Sequence, residues 1–112
     1  MSFLKGFFTS SKNAPGLTEL ETDIHSHFAP GIDDGCKTTK ESIDLLKQYK
    51  NLGIKRIVCT PHIQKEFYKN TKETISKAFV SLQDAMKEAG LNLEMHYAAE
   101  YLIDDHFEEL IE

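Results

Sequence analysis

The pattern of hydrophobic and polar positions predicts two amphipathic helices in this chain. The first begins after Thr38, with Glu41 as the second half of a capping box, and ends at Gly53. The second begins after Asn70 and ends at Gly90. Their apolar faces consist of Ile43, Leu45, Leu46 and Tyr49 in the first helix and Ile75, Phe79, Leu82 and Met86 in the second.

Short apolar stretches before, between and after these helices predict strands at about 21–28, 54–60 and 93–98, and a short acidic helix begins near Asp104. Strands that alternate with helices of this length are typical of a parallel sheet. The predicted fold class is therefore α/β. Residues 1–20 are predicted to be an N-terminal extension, and residues 21–112 a single domain.

Composition narrows the possible partners and compartment. The chain has 112 residues, a formal charge of −5, and no basic patch of the kind that nucleic acids require, so no nucleic-acid partner is expected. Cys36 and Cys59 form no metal-type pair, which favours a reduced, cytoplasmic protein. No apolar run reaches the ~20 residues that cross a bilayer.

The N-terminal sequence "MSFLKGFF" is too short and too interrupted for a signal peptide. Phe3 and Phe7, and likewise Leu4 and Phe8, are four residues apart. A helical turn could therefore dock these side chains on the domain or on a membrane surface.

Candidate chemistry begins in "TDIHSHFAPGIDDG", residues 22–35. Alternate residues of a strand share a face, so Asp23, His25 and His27 are predicted on one side and Ile24, Ser26 and Phe28 on the other. Two imidazoles on one rigid face could bind a divalent cation. The alternative is a strand that carries histidines without a ligand role.

His62 follows the second predicted strand and Glu100 follows the third. The carboxyl ends of parallel strands meet at one edge, so both residues are expected beside His25 and His27. Taken singly, His62 could be an ordinary loop histidine and Glu100 a solvated carboxylate. His96 and His106 have no partner in the sequence pattern and are predicted to be ordinary.

Imidazole and carboxylate ligands suit zinc, manganese or iron better than calcium. Ions of this kind clamp phosphate and generate a hydroxide nucleophile, so the pattern favours metal-assisted hydrolysis. Cys59 has Lys65 where a cysteine phosphatase needs arginine, and no G-x-S-x-G elbow or P-loop occurs. Cysteine and serine nucleophiles are therefore not predicted.

The segments "DIHSHFAPGIDDGCKTTKES", "GIKRIVCTPH" and "AAEYLID" resemble the bacterial metal-dependent tyrosine phosphatases of the polymerase-and-histidinol-phosphatase (PHP) superfamily. These enzymes are linked to capsular and exopolysaccharide synthesis. The resemblance implies that residues 21–112 form the N-terminal portion of a distorted TIM-like PHP (β/α) barrel. It also implies hydrolysis of phosphotyrosine on the bacterial tyrosine kinases that control polysaccharide synthesis and export.

The same resemblance implies up to three divalent ions, with manganese expected first and iron, zinc or cobalt as alternatives. By position, His25 and His27 resemble the ligands of one ion, and Glu100 resembles the carboxylate that bridges it to a second. Asp34 and His62 resemble ligands of the third. The expected nucleophile is a metal-bound hydroxide, and the arginines that hold phosphate in this family do not occur in the chain.

Asp33 stands next to Asp34 and could take its ligand place; at least one of the two is expected to shape the turn. TIM-type barrels need ~200 residues or more, so the chain is expected to be either part of such an enzyme or a shortened relative. Its open sheet edge could pair with a second copy, giving a homo-oligomer. Because the family's kinases are membrane proteins, transient membrane proximity is also expected.

Two alternatives to a protein-tyrosine phosphatase remain. One is a PHP phosphoesterase that acts on a small molecule of the histidinol phosphate type. The other is a non-catalytic binding or assembly module that uses the same face of the sheet.

Overall fold

Strands and helices alternate along residues 20–112, the part of the chain that the computed structural model describes. The elements are β1 (Thr22–Ser26), α1 (Thr39–Asn51), β2 (Arg56–Cys59), β3 (His62–Ile63), α2 (Lys72–Glu88), β4 (Glu94–Tyr97), β5 (Glu100–Tyr101) and α3 (Asp105–Ile111). The predicted α/β class with parallel strands is confirmed. The predicted N-terminal helical turn lies outside the described residues.

Helix α1 begins and ends where the sequence predicts. The Thr38 hydroxyl accepts the Glu41 N–H at 3.2 Å, and Gly53 follows the helix with a φ of 93°. The second half of the predicted capping box is wrong, because the Glu41 carboxylate accepts the N–H of Lys37 at 2.8 Å instead.

The predicted cap of helix α2 is wrong by one residue. Thr71 caps the helix and forms a reciprocal capping box with Thr74. The Asn70 side chain instead donates to the carbonyl oxygens of Ile32 and His62, at 2.8 and 2.9 Å. Asn70 therefore ties two loops together, and its neighbour supplies the cap.

Strands β1, β2 and β4 form a parallel sheet in the order β1–β2–β4. Pairing of β1 with β2 shifts by one residue between the Asp23–Ile57 and Ser26–Cys59 pairs. This bulge breaks the predicted alternation of β1, since Ile24 is 74% exposed whereas Ser26 is buried.

The short strands β3 and β5 continue the pairing of β2 with β4. Residues of β2 pair with residues 38 positions later in β4, and His62 pairs with Glu100 at the same offset. The Glu100 N–H donates to the Pro61 carbonyl at 2.9 Å within this continuation. From the sequence, both segments are predicted to lie beyond the ends of strands, because two-residue strands leave no periodic pattern.

The hydrophobic core lies where α1 and α2 pack against the three-stranded sheet. Fully buried side chains come from α1, α2, β2 and the segment after β1, and burial of a large apolar side chain stabilises the fold by ~1.5–3 kcal/mol. The largest are Phe28, Leu46, Ile57 and Leu82. Ser42 is also buried, and its hydroxyl donates to the Phe28 carbonyl at 2.6 Å, which fixes α1 to the segment after β1.

Both cysteines are free thiols within this core. Burial raises the pKa of Cys59 to about 12, so the group stays a neutral thiol at physiological pH. None of the helices in the described residues is long and apolar enough to cross a membrane.

Candidate metal centre

The end of β1 brings two imidazoles together. The Nε2 atoms of His25 and His27 lie 3.3 Å apart, as their predicted common face requires. Asp23 does not join them: its carboxylate accepts the His25 N–H at 2.9 Å and also interacts with the side chain of Tyr49. The predicted grouping of Asp23 with both histidines is therefore wrong, because the bulge turns the strand between them.

Glu100 lies at the centre of the cluster. Its Oε2 is 3.2 Å from the Nε2 of His25, 3.2 Å from the Nε2 of His27 and 3.5 Å from the Nδ1 of His62. This oxygen is buried and makes no hydrogen bond to any described residue. A buried carboxylate oxygen without a hydrogen bond is costly unless a cation compensates it.

The loop after β1 contributes two carboxylates with different environments. Oδ1 of Asp34 lies 3.3 Å from Nε2 of His62, and the Asp34 side chain is 62% exposed. The Asp33 side chain is fully buried, and its oxygens accept the Gly35 N–H at 2.9 Å and the His62 N–H at 3.0 Å. Asp33 shapes the loop, as predicted for at least one of the pair, whereas Asp34 presents its carboxylate outward.

Gly35 allows this loop to lie directly against β1. A Cβ atom on Gly35 would fall 2.2 Å from the carbonyl oxygen of His27 and 2.5 Å from its Cβ. Next to it, the Cys36 N–H donates to the same His27 carbonyl at 3.1 Å. No side chain fits between the loop and His27, so glycine is required there by sterics.

Aromatic stacking orients the His62 ring. One face of the ring meets His27 at a centroid distance of 4.6 Å, and Tyr68 stacks on it at 5.4 Å with an interplanar angle of 17°. Asn70 holds the His62 carbonyl from the same loop. Neither role is predicted from the sequence. The signal present there is that Tyr68 and Asn70 lie within eight residues of the candidate ligand His62.

The other two histidines lie elsewhere, as predicted. His96 pairs with Glu94 at 2.9 Å, and His106 lies 3.5 Å from Glu109 on α3. Neither belongs to a group of described side chains that could hold a metal ion.

Two overlapping groups of side chains could hold metal ions, each with ligand atoms within 4.8 Å of one another. The groups are His25, His27 and Glu100, and His27, Asp33, Asp34 and His62. Imidazole nitrogens and carboxylate oxygens suit a first-row divalent ion. The bare Oε2 of Glu100 gives a physical reason for a cation at this place, so the residues present fit a metal centre.

Fold and cluster together define a parallel α/β protein with a histidine–carboxylate centre at the carboxyl ends of its strands. The chain belongs to the capsular polysaccharide synthesis CpsB/CapC family, whose sequence model matches residues 21–112. The resemblance seen in the sequence is thereby confirmed.

Named relatives show the same affiliation. The tyrosine-protein phosphatase CpsB of Streptococcus pneumoniae is 36% identical over 89 residues, which is 79% of this chain and 37% of that protein. The tyrosine-protein phosphatase YwqE of Bacillus subtilis is 36% identical over 56 residues, or 50% of this chain and 22% of that protein. The aligned part of this chain thus covers little more than a third of the length of CpsB and less than a quarter of the length of YwqE.

A solved structure supports the fold. It comes from work on YwqE from Bacillus subtilis and CpsB from Streptococcus pneumoniae, described as unique metal-dependent tyrosine phosphatases. The match has a TM-score of 0.73 and 28% sequence identity, and covers 80% of this chain and 36% of the other. This chain therefore has the fold of one part of that structure.

Proposed function

We propose that this chain serves metal-dependent hydrolysis of phosphotyrosine on proteins, through a centre held by His25, His27, Asp34, His62 and Glu100. The observation that carries the proposal is the buried Oε2 of Glu100, which faces three imidazole nitrogens and has no hydrogen bond from any residue that the structure describes. Divalent ions held there would supply Lewis acidity, which polarises a phosphate ester and lowers the pKa of a bound water.

The chain's own residues prepare this chemistry by position. His25 and His27 present their Nε2 atoms to one side of Glu100 Oε2, and His62 presents its Nδ1 from another. Asp34 faces the Nε2 of His62 and is open to solvent. We assign His25, His27 and Glu100 to one ion and Asp34 and His62 to a neighbouring ion. The mixed nitrogen and oxygen donors support manganese, with iron, zinc and cobalt as competitors.

Exposure of the centre supports a protein substrate. The His25 side chain is 58% exposed, so the described cluster lies at an open edge rather than in an enclosed cavity. An open edge admits a phosphotyrosine that projects from a polypeptide. The family's role in capsular polysaccharide synthesis supports a bacterial tyrosine kinase of capsule or exopolysaccharide synthesis as that substrate. The two buried thiols support a cytoplasmic location.

Metal analysis tests the centre itself. Elemental analysis of the protein purified without a histidine tag is expected to find bound divalent metal, which the His25→Ala/His27→Ala variant loses. A His96→Ala variant provides the matched control, because His96 lies outside both candidate groups. A folded wild-type chain without metal after manganese loading would contradict the proposal.

Phosphate release tests the reaction. Manganese-loaded protein is expected to hydrolyse a phosphotyrosyl peptide faster than histidinol phosphate, and chelator abolishes the release. A preference for histidinol phosphate would instead support the small-molecule phosphoesterase.

A non-catalytic assembly module is the second candidate, favoured by the position of Arg56. This residue is the only arginine of the chain, and its Nε donates to Glu94 at 3.0 Å where β2 begins. His62 and the rest of the candidate centre lie beyond the opposite end of β2. Arg56 is therefore not placed to hold a phosphate at the centre. Bound metal without phosphate release, together with retention of a kinase partner by the His25→Ala variant, would support the module.

We also propose that copies of the chain associate and that the N-terminal phenylalanines bring it close to a membrane. Exposed apolar side chains at the end of the chain support the association: Leu102, Ile103, Leu110 and Ile111. Light scattering measures the association, and a monomeric chain would contradict the first proposal. Sedimentation with lipid vesicles measures membrane binding, and a chain that stays unbound would contradict the second.

A further inference from the structure

The Asp33 carboxylate has three hydrogen-bond partners, of which only one belongs to its own turn. Its Oδ1 accepts the N–H of Gly35 at 2.9 Å. Its Oδ2 accepts the main-chain N–H of His62 at 3.0 Å and lies 2.9 Å from Nδ1 of His27. The residue is only 5% exposed, so water does not compete for these bonds.

The contact with His27 determines where that ring carries its proton. An ionised carboxylate only accepts hydrogen bonds, so Nδ1 of His27 must be the donor. With Nδ1 as the donor, Nε2 is the ring atom left to offer a lone pair to a metal ion, and it lies 3.2 Å from Glu100 and 3.3 Å from His25. A carboxylate behind a histidine is a common means of fixing the orientation of a metal-binding imidazole.

The contact with His62 extends the effect to the other candidate group. Because one oxygen holds both the His27 ring and the His62 main chain, Asp33 fixes the distance between β1 and the start of β3. The centroids of the His27 and His62 rings are consequently held 4.6 Å apart.

A ligand role for Asp33 itself would conflict with these bonds. Both of its oxygens already face N–H donors, and its side chain has no exposed surface. A metal on Oδ2 would displace the His27 and His62 contacts together. Asp34, one position along the chain, is open to solvent and lies at ion-pair distance from His62.

We propose that Asp33 is the positioning residue of the metal centre: it selects the His27 tautomer that offers Nε2, and it holds His62 in register with His27. The inference rests on the proposed function in taking His27 and His62 as ligands. It assigns to Asp33 no contact with the metal.

The first test uses the metal-free wild-type chain. Long-range ¹H–¹⁵N correlation spectra of ¹⁵N-histidine-labelled protein are expected to show a proton on Nδ1 of His27. An Nε2–H tautomer, or rapid averaging of the two tautomers, would overturn the inference. The measurement needs no bound metal, so it remains decisive even if manganese binding fails and the proposed function falls.

The second test compares Asp33→Asn with Asp34→Asn, the same chemical change on adjacent residues. Asp33→Asn is expected to change the His27 tautomer in the metal-free chain and to weaken manganese binding by roughly 10–100-fold. Asp34→Asn is expected to weaken binding while the His27 tautomer stays the same. Loss of binding in Asp33→Asn with an unchanged tautomer would overturn the inference and make Asp33 a ligand.

If Asp33→Asn does not fold, the wild-type spectrum still decides the question. Rescue provides a further measurement: Asp33→Glu, which keeps the charge, is expected to restore the Nδ1–H tautomer partly. A tautomer in Asp33→Glu that matches Asp33→Asn would also count against the proposal.

Discussion

The two ends of the parallel sheet carry the same types of side chain in opposite situations. Where β2 and β4 begin, Glu94 pairs with Arg56 through one oxygen and with His96 through the other, and all three side chains are more than half exposed. Where the strands end, a Glu100 oxygen lies among three imidazoles, is buried and has no hydrogen bond within residues 20–112. Histidines beside carboxylates are therefore not enough to indicate a metal centre. An unsatisfied buried oxygen is what distinguishes the second end from the first.

The largest expected effect comes from the same substitution at each end. Glu100→Gln is expected to weaken manganese binding by more than ~100-fold, because it removes the charge that three imidazoles surround. Glu94→Gln is expected to leave the affinity unchanged. Calorimetric titration of metal-free protein measures both, and equal losses in the two variants would abolish the distinction between the ends.

A smaller effect is expected from sterics at the end that carries the centre. Gly35→Ala drives a Cβ to 2.2 Å from the His27 carbonyl and is expected to cost about 3 kcal/mol or more of stability. Gly90→Ala meets nothing within 4 Å, so its cost of about 1–2 kcal/mol comes from the left-handed backbone alone. Urea unfolding measures the loss of unfolding free energy in each variant, provided that the m-values are equal. Equal losses in the two variants would show that the loop can move away from β1.

The smallest effect is expected from acid at the other end. The hydrogen bond from His96, followed by that from Arg56, holds the pKa of Glu94 below its ordinary value. The stabilisation this provides is present above the unfolded-state pKa and is lost as the pH falls through the lowered pKa of the folded chain. Carboxyl NMR titration is expected to show the pKa of Glu94 rising in His96→Ala. An unchanged pKa would mean that solvent alone sets the ionisation of Glu94.

Much of the fold follows from local pattern. The faces of α1 and α2, the Thr38 cap and the order of strands and helices follow from residue spacing, since helix periodicity and caps act over a few neighbouring residues. The cap of α2 does not follow from local pattern, because Asn70 and Thr71 are both residue types that cap helices well. Only the tertiary structure shows that the Asn70 side chain donates to the carbonyls of Ile32 and His62 instead.

Part of the candidate site can likewise be predicted from the sequence, and part depends on the tertiary structure. The rule that parallel strands end at one edge predicts four of its residues, His25, His27, His62 and Glu100, and the family resemblance adds Asp34. The structure brings all five into two groups that also include Asp33. The bulge in β1, the stacking of Tyr68 on His62 and the bonds of Asp33 all depend on residues distant in sequence. No local pattern separates a buried aspartate from an exposed one beside it.

The shared pairing offset of β2–β4 and β3–β5 has a consequence for how the centre forms during folding. His62 and Glu100 become direct neighbours only after the whole connection through α2 has closed, and His25 meets them only after the connection through α1 has closed as well. Such non-local pairing is slow, since loop-closure entropy must be overcome before the contacts form. The ligand cluster therefore assembles no earlier than the sheet itself, and metal uptake by a refolding chain would follow the pairing of the strands rather than guide its start.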